Sequence, residues 1–244
     1  MLRSLFLLAV FTSCAVAQYA TPTPGAPTAS PPPPLSHSSA TVDGLYIALT
    51  FDDGPAKNTT PRLLDMLAKR KIKATFFVLG ENVEKNPDIL KRIIANGHEV
   101  GNHSWSHLNF AQKPSVVRDQ LQRTQDIIFQ IAGIKPKVMR PPYGAITEHQ
   151  KKWVTDQFGL KVILWEVDPL DWKKPGASVI ARRILAETRP GAIILVHDIH
   201  AQTIDAMPEA LDGLLAKGYK FVTVSELLAM DNPAPKPTPA AEIP

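Results

Sequence analysis

Two adjacent carboxylates, Asp52-Asp53, end an apolar run and precede Gly54-Pro55. Neighbouring side chains on a strand point to opposite faces, so both can serve one site only if the chain kinks, which Gly54-Pro55 can supply. A single Asp would read as a turn cap; two like charges side by side point to a metal ion or a proton between them. Further on, Asn102-His103-Ser104-Trp105-Ser106-His107 places two imidazoles at i and i+4. On a helical turn such a pair faces one way and suits one metal ion. With Asp53 the set becomes two imidazoles and one carboxylate. Three protein ligands leave a position open for water, as in catalytic rather than structural metal sites.

Three more polar clusters carry chemistry. In Arg140-Pro141-Pro142-Tyr143-Gly144 the prolines stiffen the loop and remove donors, so the Tyr143 N–H is the first one left, a candidate oxyanion donor. Arg140 can grip a carboxylate with two prongs. In Asp168-Pro169-Leu170-Asp171-Trp172, Trp172 could line a sugar groove, although a core Trp explains it nearly as well. In Leu195-Val196-His197, His197 is a candidate general acid, because imidazole titrates near neutrality. A lone His after an apolar run is more often merely packed; here it follows four comparable clusters. Of the other histidines, His98 reads as structural, His149 as an exposed helix residue and His37 as part of a linker. His200 falls near the rim, without an assigned role.

Every one of these clusters must be held by something, and the chain shows what. Apolar runs recur at Leu45–Phe51, Ala74–Leu79, His98–Gly101, Lys137–Met139, Val162–Val167, Ala192–Val196 and Lys220–Val224. Helical patterns separate them: one starting at Thr60-Pro61, one at Asn86-Pro87, then Ser115–Ala132, Thr147–Phe158, Ala177–Thr188, Thr203–Lys217 and Ser225–Met230. Strands alternating with helices predict parallel pairing with right-handed crossovers. No Gly-rich phosphate loop follows the first strand, which argues against a dinucleotide fold. The predicted class is α/β, a distorted, incomplete (β/α)7 barrel. Such barrels place chemistry at the C-terminal ends of strands, where the clusters lie.

The rest of the chain bounds the setting. Arg3, the run Leu5–Phe11 and Ala15-Val16-Ala17 read as a signal peptide over 1–17, cut before Gln18. That run is shorter than the ~20 residues that cross a bilayer, so no membrane span is expected. Export to the periplasm, cell envelope or medium follows. Lipid anchoring at Cys14 is the competing reading, weaker because the Ala-x-Ala site is better formed. Residues 18–44 are Pro-rich and read as a disordered tether, and 231–244 as a disordered Pro/Ala tail. Residues 45–230 suffice for one core and not for two ordinary domains. Cys14 is the only cysteine, which excludes a disulfide framework and a cysteine nucleophile in the mature chain. The formal charge of +4 is scattered, with no basic run carrying interleaved aromatics, so no nucleic-acid partner is expected. A monomer is expected.

Taken together, Thr50-Phe51-Asp52-Asp53-Gly54-Pro55, His103-Ser-Trp-Ser-His107, Arg140-Pro-Pro-Tyr-Gly144, Asp168-Pro-Leu-Asp-Trp172 and Leu195-Val-His197 resemble the five ordered motifs of the polysaccharide deacetylases, carbohydrate esterase family 4 or the NodB-homology domain. The resemblance spans Leu45 to about Met230 and implies a seven-stranded distorted β/α barrel. It implies Asp52 as general base and Asp53, His103 and His107 as ligands of a divalent metal, zinc before cobalt or another ion. It further implies that Arg140 orients Asp52, that Asp168 supports His197, and that Tyr143 gives its N–H to the oxyanion. Trp172 and Leu195 would shape the acetyl and sugar pocket. The implied reaction removes N-acetyl groups from N-acetylglucosamine polymers, peptidoglycan or chitin-like. An O-acetyl esterase acting on xylan is a rival that the same site could serve. A two-His, one-carboxylate iron oxygenase is a second, against which the ligand order speaks. A non-catalytic wall-binding protein is a third, marked by loss of Asp52 or a ligand; both are present.

Overall fold

The computed structural model describes residues 34–232. Its strands are β1 (Ser36–His37), β2 (Tyr46–Asp52), β3 (Thr75–Val78), β4 (Glu99–Asn102), β5 (Val138–Met139), β6 (Lys161–Ile163), β7 (Ile193–His197) and β8 (Lys220–Phe221). Between them run α1 (Thr60–Lys69), α2 (Gly80–Lys85), α3 (Pro87–Ala95), α4 (Pro114–Ala132), α5 (Glu148–Phe158), α6 (Ala177–Glu187), α7 (Ala201–Ala216) and α8 (Val224–Ala229). The sheet order is β1-β6-β5-β4-β3-β2-β7, with β8 on the first residues of β2, and these ladders are parallel. This is the mostly parallel α/β architecture of an incomplete (β/α)7 barrel, as expected.

Strand parity decides which side chains reach the site. On β2, Ile47, Leu49 and Phe51 join the outer core against Leu63, Leu64 and Leu67 of α1. Ala48 belongs to a separate inner cluster with Phe77, Val138, Ile163 and Ile193. The same alternation on β7 sends Ile194 and Val196 outward and Ile193 inward. Period-two geometry then carries Thr50, Asp52, Leu195 and His197 to the inside.

Closure of the barrel differs from expectation. Residues 34–44 were read as part of a disordered tether, yet β1 pairs with β6 and lengthens the sheet. Ser39 then bridges Ala192 at the start of β7, and the Ala40 N–H donates to Gly191 O at 2.9 Å. The segment therefore fills the gap between β6 and β7. Asp231 and Asn232, read as the start of a disordered tail, tie it down: Thr41 N–H donates to Asp231 Oδ1 and Asn232 N–H to Thr41 O. The segment's own residues hold no proline after Pro34, but they follow the Pro31–Pro34 run, and two-residue strands carry no periodicity that would set them apart from it. The signal-peptide reading of 1–17, Cys14 and most of the two Pro-rich segments lie outside the described residues.

Three elements are also shorter or newer than predicted. The run Val162–Val167 splits: β6 ends at Ile163, and Val167 bridges Ile194 of β7 instead. The run Lys220–Val224 stops early because Thr223 caps α8, its side chain and that of Glu226 forming a reciprocal capping box. Helix α2 begins at Gly80, where a Cβ would lie 2.4 Å from Trp105 Cε3, and no sequence pattern announced it.

Candidate active site

Asp52 is the last residue of β2 and stands in register with His197, the last residue of the adjacent β7. Both side chains thus project from neighbouring strand ends into one cleft. Asp53 would face away if the strand continued. It takes a left-handed backbone instead, φ 76°, which turns its carboxylate back to the same side. The Asn82 side chain, donating to Asp53 O at 2.7 Å, and the Leu79 N–H, donating to Gly54 O at 3.0 Å, pin this turn.

The two histidines do not sit on a helical turn, contrary to expectation. Residues 103–107 form an irregular loop in which Ser104 and His107 are left-handed, φ 74° and 59°. That loop brings the rings to 5.1 Å between centroids. His103 Nε2 and His107 Nε2 each lie 3.5 Å from Asp53 Oδ1. Bonds of ~2.0–2.1 Å to one tetrahedral ion place ligand atoms about 3.4 Å apart, so the spacing fits shared coordination. Asp53 Oδ1 is also buried without a hydrogen-bond partner, an orphan that a cation satisfies. His103 Nδ1 lies 2.7 Å from Arg140 O; with the proton on Nδ1, the Nε2 lone pair faces the other ligands. These residues fit a divalent metal.

The charges agree with that use. Burial alone would raise Asp53, but His103, then His107 and His197, hold it at about 2. Burial, and then His103, keep His107 below the ordinary imidazole value, in the neutral form that ligation needs. Burial opposes a proton on His103, yet Asp52 and Asp53 raise it overall: the pocket attracts positive charge.

Arg140 is completely buried and meets Asp52 Oδ1 at 2.8 Å through Nη1. The same nitrogen donates to Thr50 Oγ1 at 2.7 Å, and Nη2 donates to Leu164 O at 2.9 Å. The grip on Asp52 is therefore single-pronged: the guanidinium shares Nη1 with Thr50, turns Nη2 to Leu164 O, and keeps Nε buried without a partner. Its plane lies over Phe77, 4.3 Å from the ring centre. Asp52 Oδ2 is left 3.7 Å from His103 Nε2, facing the triad.

The partner of His197 is not the expected one. Asp171, fully buried, accepts from His197 Nδ1 and from its backbone N–H, both at 2.8 Å, and from Thr203 Oγ1 at 2.7 Å. Asp168 instead accepts from the Leu170 N–H at 2.8 Å within its own loop, and only its flank lines the cleft. Left-handed Leu170, φ 57°, swings Asp171 inward. Burial disfavours the imidazolium, but the hydrogen bond and charge of Asp171, helped by Asp52 and Asp53, raise His197 to about 9. His197 is protonated at neutral pH, as a proton donor should be.

A cleft of about 400 Å³ opens over these groups, walled by Pro141, Trp165 and Leu195. Tyr143 and Trp172 line it while remaining 66% and 47% exposed, so their rings stand at its mouth. Tyr143, left-handed at φ 61°, sets its ring edge-on to His107 at 4.4 Å. His200 lines the cleft too, its ring 5.9 Å from His197. Sequence reasoning missed Trp165, which sits within a run read as strand, and Thr50 and Thr203, whose hydroxyls fix Arg140 and Asp171. For Asp171 the signal was present in the motif; the choice between its two carboxylates was not.

Residues 39–163 match the family model described as polysaccharide deacetylase. The peptidoglycan-N-acetylglucosamine deacetylase PgdA of Listeria monocytogenes is 45% identical over 182 residues, which are 74% of this chain and 38% of that protein. The chain thus spans about two fifths of that relative's length. A peptidoglycan-N-acetylglucosamine deacetylase of Bacillus cereus is 44% identical over 186 residues, covering 74% of this chain and 67% of that one. Among solved structures, the peptidoglycan deacetylase PdaC from Bacillus subtilis superposes with a TM-score of 0.72 at 44% identity, over 76% of this chain and 90% of that one.

Proposed function

This chain belongs to the polysaccharide deacetylase family, and from that premise we propose that it hydrolyses N-acetyl groups on an N-acetylglucosamine polymer of the cell envelope, peptidoglycan before chitin, in a metal-dependent reaction. The observation that carries the reading is the meeting of two units at one pair of strand ends: the Asp53-His103-His107 triad, and Asp52 facing a protonated His197. Relatives named for peptidoglycan support the choice of polymer. The N-terminal signal reading supports action outside the cytoplasm.

A divalent metal, proposed to be zinc, would be held by Asp53, His103 and His107, and when bound supplies Lewis acidity toward the acetyl carbonyl and the attacking water. The protein's own groups do the rest. Arg140 aims Asp52 through the Nη1 hydrogen bond to Oδ1, and Asp52 takes the proton of the water that attacks the acetyl carbon. The Tyr143 N–H donates to the oxyanion as the carbonyl becomes tetrahedral. His197 gives its proton to the departing sugar nitrogen as the C–N bond breaks, with Asp171 holding the ring. Acetate and a free amino sugar leave. Trp172 and Leu195 shape the pocket for the sugar and the acetyl methyl.

The test is acetate release from N-acetylglucosamine oligomers by metal-stripped and zinc-restored protein, with acetylated xylan in parallel. Zinc-dependent release from the N-acetyl substrate is expected. Asp52→Ala should keep its zinc and lose roughly 10²–10⁴ in kcat, the usual share of a general base. No release by folded, zinc-loaded protein overturns the reading, and substantial turnover in Asp52→Ala removes Asp52 as the base.

A further inference from the structure

Asp198 is the one fully buried carboxylate near the cleft that the proposed chemistry leaves unused. It follows His197 directly and is completely inaccessible. Its Oδ2 accepts from the hydroxyl of Thr60, itself fully buried, and its Oδ1 is buried without a partner. Burying an acid with half of its acceptors unmet is unfavourable, and an apolar side chain could fill the same volume. Its position says what it does instead.

The carboxylate lies flat against the turn that follows Asp52 and Asp53. A Cβ on Gly54 would be 2.2 Å from Asp198 Oδ2, 2.4 Å from Oδ1 and 2.6 Å from Cγ. The place a side chain would take at residue 54 is thus occupied by Asp198. From the other side, the Asp198 N–H approaches Asp52 O at 3.4 Å. Thr60, at the start of α1, completes the clamp: its hydroxyl accepts from the Ala56 N–H at 2.8 Å while donating to Asp198. Residues 52, 54 and 56 are therefore all gripped by the Asp198–Thr60 pair, and Asp53 lies between the gripped points.

We infer that Asp198, anchored by Thr60, is a positioning residue that holds the Asp52-Asp53-Gly54 turn in its left-handed form and so presents Asp53 to the metal. The inference rests on the metal-dependent reading of the site. Because Asp198 and His197 are consecutive, one strand end sets both the metal turn and the proton donor. Neither Asp198 nor Thr60 touches the cleft.

The experiment measures zinc affinity of the full chain by competition with a chromogenic chelator, for the parent, Asp198→Ala, Asp198→Asn and Thr60→Val. Thermal melting controls for folding, and kcat and KM on chitotetraose are read at saturating zinc. Asp198→Ala should weaken zinc by roughly 10–100-fold, as loss of a residue supporting a ligand does, and lower kcat more than KM. Asp198→Asn keeps the outline and an acceptor for Thr60 and should stay close to the parent. If Asp198→Ala does not fold, Thr60→Val carries the test, since it removes both of the threonine's bonds and should weaken zinc in the same direction. Parent-like zinc affinity in the folded Ala and Val variants overturns the inference, as does an Asn variant that loses as much as Ala. A parent that binds zinc yet releases no acetate defeats the deacetylase reading alone, and the zinc measurements still judge Asp198.

Discussion

Asp168 and Asp171 lie in one five-residue motif, and the difference between them has kinetic consequences. Asp171 holds the His197 ring through Nδ1, whereas Asp168 closes its own loop. The folded pKa of His197 is raised to about 9, so its acid form prevails at neutral pH and is lost as pH rises through that value. The alkaline limb of kcat/KM should follow that loss. Asp171→Asn removes the negative charge against the ring and should move the limb to lower pH by roughly 1–3 units, the range for one adjacent opposite charge. Asp168→Asn should leave it in place. A pH–rate profile for both variants decides, and a limb that moves with Asp168 and not with Asp171 would reverse the assignment. The family resemblance gives this role to Asp168; the left-handed backbone of Leu170 puts Asp171 there instead.

At the scale of elements, the unexpected feature is the strap over residues 36–41. It joins β6 through Leu164 N–H to His37 O at 2.7 Å, and β7 through Ala40 N–H to Gly191 O. Gly191 is required at that crossing: it is left-handed, and a Cβ would lie 1.8 Å from Ala40 O. Three or so backbone bonds at ~1 kcal/mol each amount to about 3 kcal/mol net. A chain beginning at Leu45 should therefore melt roughly 6–12 °C below one beginning at Pro34, at 2–4 °C per kcal/mol for a domain of this size. Equal melting temperatures would show that the strap closes nothing. Apart from the C-terminal ends of β6 and β8, the other elements were legible to within a residue or two, since most carry an apolar stripe or a capping residue. The strap and α2 were not, because their positions depend on partners far away in the chain.

The core lies in two layers: one between strands and helices, made of two separate clusters, and one inside the barrel. The inner layer stops at the strand ends, where polar groups replace apolar ones and the candidate metal triad of Asp53, His103 and His107 draws on the loops after β2 and β4. An ion held by both loops binds the folded chain and not the unfolded one. At a free concentration of about 100 times Kd it should add ~2.7 kcal/mol, which is roughly 5–11 °C in melting temperature. Differential scanning calorimetry with and without zinc after chelator treatment checks this. No shift on adding zinc would mean that the triad does not take the metal. Among the described residues no helix is long and apolar enough to cross a membrane.

The sequence by itself determined the alternation of strands and helices, the parallel barrel, and the residues at the strand ends. Each of these is written in local periodicity or in short motifs, and period-two parity alone sends Asp52 and His197 to one interior. What the tertiary structure decided were the pairings: Asp171 rather than Asp168 on His197, an irregular loop rather than a helical turn for His103 and His107, Thr50 and Thr203 as anchors, and the segment just after the Pro-rich stretch as the seam of the barrel. The physical reason is common to them all. Left-handed residues at 53, 104, 107, 143 and 170 turn side chains by an amount no spacing rule records, and the packing that holds those turns comes from residues remote in sequence.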